Sequence, residues 1–227
     1  VPFNQKALKE TVNYFNDLAP KDRQVACANI SFLDYYTHRL RDNLLMDMNL
    51  SENNSVWVKI PSIKHDPFNK EANIKKLEIL SCKNWCTRSS VDKAEAALED
   101  GDFYIYLERN KAKLWEPLVG MTTAKGKIDQ IQGVENNNIV PLKLVDEIED
   151  FINKSNLKCH SGIYDEGPKA YQAILISKKL NEQAGVSGKT FARAIKENDT
   201  QAMFDALGVT NRKVEGDLLE IATYKPS

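Results

Sequence analysis

No apolar run in this chain of 227 residues approaches the roughly 18 that a membrane-spanning helix needs. An excess of one charge is missing too: 31 Lys and Arg stand against 32 Asp and Glu, a formal net charge of −1. A balanced chain has no global positive field to gather phosphate backbones, so charge does not support nucleic-acid binding. Cysteine is scarce, with only Cys27, Cys82, Cys86 and Cys159. That is far from the dense disulfide framework of a small secreted domain. We read the thiols as reduced and the setting as cytoplasmic, bacterial or the host cytosol of a secreted effector. The start, Val1-Pro2-Phe3-Asn4, lacks the basic region and apolar core of a signal peptide. It also lacks Met, consistent with excision from a longer protein. No repeat of fixed period and no linker rich in Pro, Gly or Ser divides the chain.

What is present is an ordinary globular composition, 42% hydrophobic and 28% charged. Ala7, Leu8, Val12, Phe15 and Leu18 recur at helical spacing and stop before Pro20. Val25, Ala28, Phe32, Tyr35, Tyr36, Leu40, Leu44 and Leu45 form a second helical stripe over about 21–48, read as core. The alternating, β-branched stretch Val56–Ile60 predicts a strand. Pro67, with Asp66 as cap, opens a helix reaching Leu80, and a serine at Ser89 starts another that Gly101 stops. Three apolar stretches follow, Asp102–Glu108, Leu114–Thr123 and Lys127–Val134, with turn residues Asn110-Lys111 and Lys125-Gly126 between them. Further helices are expected near 142–154, 168–184, 188–197 and 200–207.

The fold class is therefore α+β. A small antiparallel sheet, a meander over about 102–134 with an extra strand at 56–60, packs with helices on both flanks. Residues 1–155 form a helical and β-meander portion. Residues 156–227 form a helical C-terminal portion packed on it as one domain, with a loop at Asn156–Gly167 as the softest boundary.

Three constellations carry chemistry. Cys86 lies between Trp85 and Thr87-Arg88 at a helix start, where the helix N-terminus and an Arg would stabilise a thiolate. A nucleophilic Cys needs a base and an orienting group, and His160 with Asp165 suits those roles better than His38 or His65. The plainer reading of Cys86 is a small buried residue at a strand-to-helix junction. Cys82, Cys86, Cys159 and His160 lack the paired spacing of structural zinc, and no metal or cofactor is expected. Gly185–Thr190 suggests a phosphate loop, but Gln183 stands where its first glycine belongs, so we read a helix cap. Gln130 and Gln132 share a strand face and present uncharged donors and acceptors. With Trp85, Tyr104 and Asn137 they outline a small-ligand site, whose plainer reading is a strand followed by the polar turn Asn136–Asn138.

The succession Trp85-Cys86-Thr87, Gly101-Asp102-Phe103-Tyr104-Ile105, Gln130-Ile131-Gln132-Gly133 and Asn136-Asn137 resembles a segment of PcfJ-like proteins of conjugative plasmids. It is also similar to bacterial mobile-element and effector-like proteins. The likeness covers about a quarter of the chain, and the helical flanks do not share it. That family carries no established activity, so the resemblance implies none. It implies a bacterial or mobile-element origin, and a shared site or fold-defining corner for Trp85, Cys86, Gln132 and Asn137. The expected function is a protein-interaction domain without catalysis, whose partner is a protein rather than a membrane or a nucleic acid. Two alternatives stand beside it. One is a cysteine-dependent enzyme (protease, deamidase or acyl transfer) using Cys86; the other is a ligand pocket lined by Gln130 and Gln132.

Overall fold

The structure, a computed structural model, describes residues 1–18, 20–21, 30–134, 140 and 142–159. Helix α1 spans Gln5–Asp17, and the Asn4 side chain accepts from the Ala7 N–H at 2.9 Å, satisfying one of its orphan donors. Helix α2 spans Phe32–Asp47 and is capped by Ser31, which accepts from the Asp34 N–H at 3.0 Å. The continuous helix expected from residue 21 thus has a fresh start at Phe32, because a capping serine interrupts an apolar stripe that periodicity alone runs together. α1 lies against α2 through Ala7, Tyr36 and Leu40. The Tyr36 hydroxyl ties the chain start down, donating to the Pro2 carbonyl at 2.8 Å and accepting from the Asn4 N–H at 2.7 Å.

Strands β1 (Ser55–Ile60), β2 (Phe103–Arg109), β3 (Trp115–Ala124) and β4 (Lys127–Gln132) form an antiparallel sheet in chain order, as expected. A two-residue β5 (Lys158–Cys159) adds in parallel to β4, inside the stretch expected to be a loop. The β3–β4 turn has Lys125 at φ 51° and Gly126 at φ 74°. Two left-handed residues match the twist of a tight hairpin, and the glycine makes the second one inexpensive. Pro117 sits in a central strand, where it cannot donate to the ladder. The register shift between Tyr106 and Leu107 is the bulge beside it that accommodates this.

Strand alternation divides the apolar residues between two faces. Val56, Val58, Ile60, Phe103 and Ile105 pack under α3 (Lys70–Leu80) and α5 (Val91–Asp100), meeting Leu77, Leu80, Ala94 and Leu98. Tyr104, Tyr106, Met121, Ile128 and Ile131 face α6 (Val145–Lys154) through Ile148 and Phe151. Trp57 anchors α6, stacking on Phe151 with ring centroids 4.0 Å apart and donating its indole N–H to Glu147 at 3.0 Å. Between α3 and α5 lies the single turn α4 (Cys86–Ser89). Ser90 rather than Ser89 caps α5, accepting from the Lys93 N–H. A 3-10 turn at Pro67–Asn69 precedes α3, and Asp66 accepts from the side-chain amides of Asn69 and Asn73 instead of capping the backbone. No helix among the described residues is long and apolar enough to cross a membrane. The expected C-terminal helices lie outside the described residues.

Candidate functional site

Trp85 is the centre of the corner that the sequence singled out. Its side chain is fully buried, its indole N–H donates to the Gly133 carbonyl at 2.8 Å, and its ring lies directly beneath Gly120 of β3. A Cβ on Gly120 would stand 2.9 Å from Trp85 Cη2 and 3.1 Å from Gln132 Nε2, so the absence of a side chain there lets indole and sheet touch. Gln132 pairs with Gly120 and is buried, whereas Gln130, paired with Thr122 on the same face, is half-buried. The Thr122 hydroxyl oxygen is buried with no hydrogen-bond partner among the described residues. Tyr104 lies on the opposite face, in the cluster under α6. The structure therefore brings Trp85 and Gln132 together, sets Gln130 beside them, and places Tyr104 across the sheet. Asn137 lies outside the described residues.

Cys86, the first residue of α4, is exposed, while Cys82 is buried and donates to the Val134 carbonyl at 3.4 Å. Thr87 is buried against Ser81, their hydroxyls 2.7 Å apart. Arg88 donates to the carbonyls of Glu78 and Ile79 and to the Thr37 hydroxyl, and its burial lowers its pKa. Its guanidinium thus bridges α3 and α2. His160 and Asp165 lie outside the described residues, as does the side chain of Cys159. Among the described residues no group of three or more His, Cys, Asp or Glu is arranged to hold a metal ion.

Sequence reasoning missed a buried polar seam on the inner face of α2. Arg41 is buried and donates to the carbonyls of Ile79, Ser81 and Trp115 at 3.0–3.1 Å, with no carboxylate among these acceptors. Burial, reinforced by the charge of Arg88, pushes its pKa down to about 9. His38 accepts the Trp115 backbone N–H on Nδ1 at 2.9 Å, and burial pushes its pKa down to about 4 despite the opposing pull of Asp42. Asp42 accepts from the Trp115 indole at 3.0 Å, Arg39 at 3.1 Å and Arg109 at 3.4 Å. Arg109 also lies over the Trp115 ring, 4.3 Å from its centroid. These groups fasten α2 to the start of β3. The signal for them was their place among the apolar residues of α2, which was passed over because charged side chains are ordinarily solvated.

The second missed feature is a surface. Among the described residues, large apolar side chains are exposed singly at Phe68 and Val91, and together on and just before the packed helices α1 and α2, at Val1, Phe3, Val12, Phe32 and Leu33. Behind them Tyr14 stacks on Tyr35 at 3.9 Å and Phe15 on Phe32 at 5.6 Å. A groove of about 280 Å³ opens there, lined by Val1, Phe3, Leu8, Phe32, Leu33 and Tyr36. No family model, no curated protein and no solved structure matches this chain.

Proposed function

We propose that this chain is a protein-interaction domain and that its contact surface is the apolar groove between α1 and α2. The observation that carries the reading is the clustering of exposed Phe3, Phe32 and Leu33 around that groove. Contiguous exposed apolar surface costs solubility and marks contact sites more often than scattered single residues do. A furrow between two helices fits a partner segment that inserts two or three apolar side chains at helical spacing. The bacterial mobile-element or effector-like origin suggested by the central motifs belongs to the same reading.

The test is a photo-crosslinking amino acid at Leu33, followed by identification of the captured protein and measurement of its affinity for the purified chain. Leu33→Asp should abolish that complex and leave thermal stability within about 0.5 kcal/mol, since Leu33 is 57% exposed. Unchanged affinity in Leu33→Asp would remove the groove from the reading.

A ligand site on the Gln130 and Gln132 face is the second reading, favoured by the unpartnered Thr122 hydroxyl beside Gln130. It requires a polar small molecule whose binding Gln130→Ala weakens without altering stability. Equal loss of both would mark Gln130 as structural.

A further inference from the structure

At the edge where β1 leaves the sheet and β2 enters it, one buried carboxylate organises an exposed imidazole and an exposed ammonium. Asp102 Oδ1 accepts from the Ser62 backbone N–H at 2.7 Å and from His65 Nδ1 at 2.8 Å, and its Oδ2 lies 3.2 Å from Lys59 Nζ. Burial by itself would raise the Asp102 pKa, but the three N–H donors outweigh it and hold the carboxyl below its ordinary range. The side chains of His65 and Lys59 are 62% and 54% exposed, against 9% for Asp102.

With Nδ1–H donated to Asp102, the neutral His65 ring carries its lone pair on Nε2. A carboxylate behind an imidazole orients the ring and fixes which nitrogen carries the hydrogen. Lys59 has three N–H donors, of which Asp102 engages one and the Tyr104 hydroxyl another, so one is left for a ligand. The pair thus offers an acceptor and a donor tethered to the two oxygens of one carboxylate.

We propose that Lys59 and His65 bind a phosphate group that retains one acidic proton, either hydrogen phosphate or a phosphate monoester. The P–O⁻ accepts from Lys59 and the P–OH donates to His65 Nε2. Asp102 already cancels the charge of Lys59, so a bare anion gains little at this site. The P–OH supplies the selectivity, because with Nδ1–H turned to Asp102 the Nε2 lone pair can only accept, and a bare anion offers it no donor. Phosphate monoesters, whose second pKa is about 6, keep such a proton in part near neutrality, whereas sulfate has none.

The experiment is nitrogen-15 NMR of the histidine side chains in the whole chain, titrated separately with inorganic phosphate, methyl phosphate and sulfate at constant ionic strength. The free protein should show His65 as the Nδ1–H tautomer. Phosphate should move the Nε2 resonance saturably, and sulfate should not. Lys59→Gln should weaken phosphate binding about two- to fivefold, and His65→Gln, followed by the phosphorus-31 signal of the phosphate in place of the lost imidazole resonance, should abolish it. Methyl phosphate binding as well as phosphate identifies a monoester as the ligand; phosphate alone binding identifies the free ion. Equal responses to phosphate and sulfate, an Nε2–H tautomer in the free protein, or unchanged binding in Lys59→Gln overturns the proposal.

Discussion

Acid should loosen this protein through His38. The ring is buried and neutral, and its Nδ1 accepts the Trp115 N–H, so its pKa falls from 6.5 to about 4. Above pH 6.5 the folded and unfolded chains both hold His38 neutral, and it contributes no pH dependence. Below that the unfolded chain binds the proton first, and stability falls as the pH drops. The full loss, reached near pH 4, is about 3 kcal/mol at about 1.4 kcal/mol per pH unit. His38→Asn keeps an acceptor near the Nδ1 position but cannot titrate. Urea unfolding followed by the fluorescence of Trp85 and Trp115, both buried, measures the two proteins between pH 7.5 and pH 4. Carboxylates and the other histidines contribute alike to both, so the difference between them isolates His38. The wild type should lose most of its advantage over His38→Asn across that range. A difference that stays constant with pH would refute the argument and place His38 in contact with water.

Three other outcomes follow from the same geometry. Gly120→Ala should cost about 1–3 kcal/mol in urea unfolding, because its Cβ enters the Trp85 ring; a neutral result would mean that the indole can move. Arg41→Lys should not restore what Arg41→Met loses, about 3 kcal/mol, since three carbonyls are met by one planar fork. Full stability of Arg41→Lys in thermal melts would contradict that account. Limiting iodoacetamide should label exposed Cys86 well before buried Cys82 in the folded protein, and equal rates by peptide mass spectrometry would reverse the assigned burial.

Local patterning carried most of the sheet. The meander, its hairpin at Lys125-Gly126 and the strand at 56–60 were legible because β-branched alternation and turn residues act over a few positions. Of the corner expected at Trp85, Cys86, Gln132 and Asn137, the structure brings Trp85 and Gln132 together, and no local pattern said that the indole lies beneath Gly120. The helix start at Ser90 was legible to within a turn, but the start at Ser31 was not, because the apolar stripe runs on through it and the capping serine is chosen by its surroundings.

The sequence by itself determined an α+β chain of balanced charge with the apolar faces that build its two packed layers, because these depend on residue type and period alone. Only the tertiary structure decided which polar residues are buried. Arg41 and Asp42 meet Trp115 across more than 70 positions of chain, and Asp102 reaches His65 over 37. Such partners are set by how helices and strands dock, and no local pattern along the chain encodes a distance between them.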